Sequence, residues 1–178
     1  MIRALKGRVP KIDPKAYVDP QAVVIGNVEI GELSSIWPNV VLRGDENLIR
    51  IGRETNIQDG TVCHMQYDLP LIIGDRVTIG HSAIVHACTI GNDVRIGMGA
   101  IILDGAVVEQ GAQVGAGAVV SPGKRVASGE LWLGVPARRV RELTPEELVD
   151  IKENAQTYVN LWQVDYTEVN AVPAYLKK

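Results

Sequence analysis

Apolar residues recur at every sixth position along most of the chain. Ile12, Val18, Val24, Ile30, Ile36 and Leu42 form one train, and Ile51, Ile57 and Cys63 follow after a three-residue slip. Ile73, Ile79 and Val85 resume after a short loop, and Ile90, Ile96, Ile102, Val108, Val114, Val120 and Val126 complete the series. Glycine stands directly after the apolar residue at Gly31, Gly52, Gly74, Gly80, Gly91, Gly97 and Gly115. A period of six marks a parallel β-helix in which each hexad is one short strand and a corner. Three hexads close one coil of a triangular prism, with coils opening at Ile12, Ile30, Ile51, Ile73, Ile90 and Val108 and a seventh at Val126. Each apolar residue is expected to stack on its equivalent one coil away, at the inter-strand spacing of roughly 4.8 Å. Parallel crossovers in general run right-handed, but the spacing by itself does not set the hand of this coil.

The expected fold is an all-β solenoid with a C-terminal helix, a single domain over 1–178. The β-helix covers about 12–131 and the helix about 144–164. Leu133-Gly134-Val135-Pro136-Ala137 reads as an exit turn. Thr144-Pro145-Glu146-Glu147 then supplies a capping box with proline at the first helical position. Leu148, Ile151, Ala155, Tyr158, Val159 and Trp162 share one helical face, which predicts packing back along the prism. The pattern assigns no structure to the tail from about Val164 onward.

Composition agrees with a narrow coil filled by Ile and Val: hydrophobic residues make up 46% of the chain, yet it has no Phe. A net charge of −3 without a basic run argues against nucleic acid or an anionic membrane as partner. Met1 to Lys6 leads into no apolar stretch long enough for a signal peptide or a span, so a soluble, cytoplasmic chain is expected. Cys63 and Cys88 make no disulfide framework. Cys63 occupies an interior slot and reads as a small hydrophobe, a reactive or metal-binding thiol being the other reading.

The chemistry collects around the histidines. His64 follows Cys63 and His86 follows Val85, so the two share a register one coil apart, with Arg43 one coil earlier in the same column. Stacked imidazoles at strand spacing make a pair of transition-metal ligands. His81 stands two places after Ile79 and leaves from the second face. Five extended residues reach at most about 17 Å, and most of that is used between His81 and His86. One chain therefore does not carry all three to one ion. Three-fold packing of identical prisms would set His81 of one copy against the His64/His86 column of the next, giving three equivalent sites. Three neutral nitrogens plus a water is the open coordination of a catalytic ion. A lone outward histidine on such a coil is ordinarily a surface residue; three close together, two in one column, favour a metal.

Arg43-Gly44-Asp45, Asn56-Ile57-Gln58-Asp59-Gly60, His64, and His81 with His86 five places on resemble the γ-class carbonic anhydrases. The resemblance continues through Ile96-Gly97-Met98-Gly99 and Leu133-Gly134-Val135-Pro136 and covers nearly the whole chain. It implies a left-handed β-helix, a homotrimer, and reversible hydration of CO2 to bicarbonate by a metal-bound hydroxide at the subunit interfaces. It implies Zn2+, with Fe2+ or Co2+ as alternatives, held by His64 and His86 of one chain and His81 of the next. By the same resemblance Gln58 orients the hydroxide and Asn56 helps hold the substrate. Arg43, Asp45 and Asp59 then pair within and between subunits, Tyr158 comes to the site on the helix, and Glu46 matches a further site glutamate. On spacing alone, Arg43, Asp45 and Asp59 also suit solvated corners, and Tyr158 also suits packing.

One departure stands out. The best-studied branch of that family carries an acidic loop with a proton-shuttling glutamate after the first histidine, whereas Met65-Gln66-Tyr67-Asp68-Leu69-Pro70 is short and has none. Without a relay the hydroxide regenerates slowly, which places the chain with the short-loop branch, whose members are often weakly active or inactive. Two other readings stay open. One is a hexapeptide acyltransferase using coenzyme A and a single general-base histidine; the other is a trimer that the metal merely staples.

Overall fold

The structure, a computed structural model, describes residues 1–166; the rest of the tail lies outside the described residues. The three apolar trains become three internal columns. Ile12, Ile30, Ile51, Ile73, Ile90, Val108 and Val126 pair in parallel, each with the next, along the first face. Val18, Ile36, Ile57, Ile79, Ile96, Val114 and Trp132 do so along the second. Val24, Leu42, Cys63, Val85, Ile102 and Val120 form the third. From Val24 to Val126 these side chains are almost entirely excluded from water, and Ala83, Ala100, Ala106, Ala112 and Ala118 fill the inner corners. A ring of methyl-bearing side chains this narrow leaves no room for Phe.

Coil-to-coil contact explains the glycines beside the columns. A Cβ on Gly97 would stand 2.4 Å from the backbone nitrogen of Ala116, and one on Gly52 would stand 2.5 Å from the carbonyl oxygen of Gly74. Neither backbone neighbour can step aside.

The breaks in the period gather at one corner, the one after the third face. Gly26 lies opposite Gly44 but Val28 lies opposite Ile49, so the segment from Asp45 to Leu48 bulges out of the ladder. One coil later Gln66 and Leu69 exchange backbone hydrogen bonds of 3.0 and 3.3 Å around a tight turn. Asn47 Nδ2 donates to the carbonyl of Tyr67 at 2.9 Å and ties the two insertions together. The next coil is instead a residue short at this corner, and Ala87 turns it with φ 45°.

At the far end the expected exit turn is the tip of a β-hairpin. Glu130–Leu133 closes the second-face sheet and pairs antiparallel with Arg138–Glu142. All five residues of that last strand are exposed, so no apolar alternation marked it in the sequence. Helix α1 (Pro145–Asp165) then begins at the predicted box: Glu147 N–H donates to Thr144 Oγ1 at 3.3 Å, and Thr144 N–H donates to Glu147 Oε2 at 2.8 Å. Its buried residues are Ile151, Ala155 and Val159. It lies against the second-face strands Ser35–Ile36, Asn56–Ile57 and Thr78–Ile79. Trp37 meets Tyr158 edge-on at 5.5 Å between ring centroids, and Tyr17 stacks on Trp162 at 6.0 Å. Among the described residues no helix is long and apolar enough to cross a membrane.

Candidate metal centre

Strands Val62–His64 and Ile84–His86 pair in parallel with His64 opposite His86, and Arg43 is opposite His64 on the other side. Because Cys63 and Val85 point inward, alternation turns both imidazoles out of the prism. His64 Nδ1 faces His86 Nε2 at 3.1 Å. The outer nitrogens are both engaged: His64 Nε2 meets Asp45 Oδ1 at 2.9 Å, and His86 Nδ1 meets Asp104 Oδ1. A carboxylate only accepts, so the ring protons sit on those outer nitrogens. With the protons there, the two inner nitrogens are the ones free to turn lone pairs toward a ligand. Two nitrogens bound at about 2.0–2.1 Å to a tetrahedral ion stand about 3.3 Å apart, so the spacing of the pair fits a shared cation.

His81 sits on the second-face corner and is half exposed. Its Nδ1 lies 2.9 Å from Asp59 Oδ2, leaving Nε2 for a ligand. All three histidines thus carry a carboxylate on one ring nitrogen, the outer-shell arrangement that fixes tautomer and ring direction in metal sites. Among the described residues of one chain no three His, Cys, Asp or Glu side chains converge to hold an ion. His64 with His86, and His81, stand on separate sides of the prism.

Gln58 and His81 line one cavity of about 270 Å³ between the second face and α1, together with Thr78, Arg95, Asn154 and Tyr158. Gln58 Nε2 donates to Asn56 Oδ1 at 3.0 Å and Asn56 Nδ2 donates to Thr78 Oγ1 at 2.9 Å, all three residues being buried. Burial, then the nearby Asp59 charge, pushes the Tyr158 hydroxyl above its ordinary range. Asp45 is pulled two ways: burial opposes its ionisation, but hydrogen bonds from His64 and then Arg43 prevail and hold its carboxyl below the usual range. Glu46 is exposed in a depression with Lys6, Arg8, Asp45 and Tyr67, whose walls include none of the histidines. Cys63 is fully enclosed, and burial pushes its thiol up to about 12. That leaves it a small hydrophobe.

Sequence reasoning missed Asp104, Thr78 and Asn154. Asp104 stands two places after Ile102, one coil beyond His86 on the same corner, and also accepts from Gln66 Nε2. That shared corner was the available signal. Asn154 precedes Tyr158 by one helical turn and so shares its face.

Beside the histidine column runs an outward apolar stripe. Val41, Val62, Ile84, Ile101 and Val119 stack in register, and Val62 and Ile84 are each 41% exposed.

Comparison with known proteins bears on both coil and centre. A model of the bacterial transferase hexapeptide (six repeats) matches residues 10–44 and 87–122, and one of the hexapeptide repeat of succinyl-transferase matches 70–103. Such repeats wind left-handed, which supplies the hand of the β-helix. Gamma carbonic anhydrase 2, mitochondrial, of Arabidopsis thaliana is 49% identical over 165 residues, 89% of this chain and 59% of that protein. The carbonic anhydrase of Geobacillus kaustophilus (strain HTA426) is 44% identical over 163 residues, 92% of this chain and 90% of that one. The chain belongs to the γ-class carbonic anhydrase family. This γ-class chain spans about three fifths of two mitochondrial Arabidopsis relatives, 59% and 62% of their lengths. Among solved structures, a hexapeptide transferase family protein from Anaplasma phagocytophilum superposes with a TM-score of 0.87 at 45% identity, covering 90% of this chain and 95% of that one.

Proposed function

We propose that this γ-class chain is a metal-dependent hydratase that interconverts CO2 and bicarbonate at the three seams of a homotrimer. One observation carries the reading: every histidine is held by its own carboxylate, yet the three fall on two sides of the prism. A second copy brings His81 to the His64/His86 pair, and the stripe from Val41 to Val119 is the apolar surface against which it seats.

The centre suits Zn2+, with Fe2+ or Co2+ as alternatives, because imidazole nitrogens serve all three. A divalent ion there supplies Lewis acidity, bringing the pKa of a water toward about 7. Everything else falls to the chain. Asp45, Asp59 and Asp104 each stand against one ring nitrogen and aim the imidazole. Gln58 has its nitrogen tied to Asn56, so its Oε1 accepts a hydrogen from the attacking water and leaves an oxygen lone pair directed at CO2. Asn56 holds Gln58 in place, and Tyr158 closes the cavity wall beside it. Arg43 and Asp45 form a charged pair next to the centre, and Glu46 lies at its outer margin. The Gln66–Leu69 turn holds no glutamate to relay the proton, so the proton leaves to buffer and turnover rises with buffer concentration.

The solved neighbour's transferase name supports a rival reading, acyl transfer from coenzyme A, and both are met by one experiment. Protein purified without oxygen is analysed for metal and assayed for CO2 hydration by stopped flow, before and after chelation. The expected result is about one ion per chain and a buffer-dependent rate that is lost with the metal and returns with it. Metal-free protein that acetylates an amine from acetyl-coenzyme A, or metal-loaded protein with no hydration rate at any buffer concentration, overturns the proposal.

A further inference from the structure

Gln58 is useful to a hydratase only with the right end of its amide facing the centre. The oxygen end accepts; the nitrogen end donates and would compete for the lone pair that attacks CO2. The hydrogen bonds behind Gln58 do not stop at Asn56. Thr78 Oγ1, having accepted from Asn56, donates to Asn154 Oδ1 on α1 at 2.9 Å. The sequence Gln58→Asn56→Thr78→Asn154 therefore has one direction throughout.

The reverse direction satisfies the same atoms. If Asn154 donated, Thr78 would donate to Asn56 and Asn56 to Gln58, and Gln58 would show its nitrogen to the cavity. A hydroxyl both accepts and donates, so Thr78 passes on whichever polarity it receives. The far end of the relay lies on the helix. The turn of α1 before Asn154 is pinned to the prism: Arg95 Nη1 meets Asp150 Oδ2 at 2.7 Å and Arg95 Nη2 donates to the Asp150 carbonyl at 2.9 Å. Asn154 is thereby held at Thr78, and with Gln58 only 5% exposed and Asn56 only 1%, the amides have few alternative partners.

We infer that Thr78 and Asn154 are positioning residues that set which end of the Gln58 amide faces the metal centre. The inference rests on the hydratase reading for its purpose, but its geometry is testable apart from it. Asn154→Asp supplies an acceptor only and preserves the observed direction; Asn154→Leu removes the acceptor. Thr78→Val has the same shape without a hydroxyl, and Thr78→Ser returns the hydroxyl.

The experiment combines solvent exchange of the Gln58 side-chain amide, followed by nitrogen-15 NMR on the intact protein, with stopped-flow hydration and metal analysis. Thr78→Val and Asn154→Leu are expected to speed Gln58 amide exchange about tenfold and lower kcat by a similar factor, with KM and metal content unchanged. Thr78→Ser and Asn154→Asp are expected to stay within about twofold of wild type in both. Exchange that is unchanged in Thr78→Val, or as fast in Asn154→Asp as in Asn154→Leu, overturns the inference. Failure of the hydratase reading shows separately, as wild-type protein without a rate, and the exchange pattern then decides the polarity by itself.

Discussion

The three carboxylates behind the imidazoles came to light in different ways. Asp45 and Asp59 stand in short motifs beside other site residues, and both meet a histidine. Asp104 stands alone between Leu103 and Gly105, and only folding brings it to His86. A sequence shows a column when the apolar residue and the polar one keep the same offset. Asp104 is offset by two from Ile102, whereas His86 is offset by one from Val85, so the eye does not align them. Removing the carboxylate by Asp104→Ala is expected to weaken metal binding about 10–100-fold, measured by competition with a chromophoric chelator. Unchanged affinity would mean that His86 needs no buttress. Gln58 was legible through its motif. The residues that tie it to the helix were not, because Thr78 looks like any outward strand residue and Asn154 like any polar helix residue.

At the level of elements, the period of six carried the whole coil and the capping box carried α1. What escaped were the short N-terminal strand Ile2–Arg3, which pairs with Val24 and Ile25, and the strand Arg138–Glu142, held by backbone pairing to Glu130–Leu133 rather than by burial. The slips in the period proved as informative as the period, since the bulge from Asp45 and the short turn beyond Val85 flank the two paired histidines. Two glycine substitutions separate the reasons for glycine in such a coil. Gly97→Ala puts a methyl group against backbone, an overpacking that costs about 1–3 kcal/mol or more. Gly117 has open space around a Cβ but φ of 65°, so Gly117→Ala should cost about 1–2 kcal/mol. Thermal denaturation should rank Gly97→Ala below Gly117→Ala; the opposite order would contradict the packing account.

The helix cap adds a pH dependence. Hydrogen bonds from Arg141 and then the Thr144 backbone hold Glu147 at about 2, well below its ordinary 4.5. A carboxyl lowered on folding stabilises fully above its unfolded value and loses that contribution as pH falls through the folded one. The melting-temperature gap between wild type and Glu147→Gln should therefore be widest above about pH 5 and close as pH falls toward about 2. A gap that persists at the acid end would place its origin outside this ionisation.

For the whole molecule, the feature on which the proposal turns is that the histidines stand on two sides of a prism, His64 with His86 on one and His81 on another. A β-helix cannot fold one face onto another, so no hinge within the chain unites His81 with His64 and His86. In the proposed trimer, assembly would do what folding cannot, and the apolar stripe beside the histidines would be the surface that seats the neighbouring copy. The sequence shows which faces carry the histidines because faces can be counted off by sixes, whereas the proposed neighbour that would complete the site lies outside any single chain.

Mixing two inactive variants tests this most directly. His64→Ala and His81→Ala are each expected to bind little metal alone. Dissociated together and reassembled at equal amounts, they form seams in which one copy supplies His64 and His86 and its neighbour supplies His81. Random assembly restores about one quarter of the seams. Native mass spectrometry with metal analysis should find about one ion in each mixed trimer, roughly a third of the wild-type load, and about a quarter of that load over the whole mixture. Mixed trimers that hold no more metal than either variant alone would contradict the account.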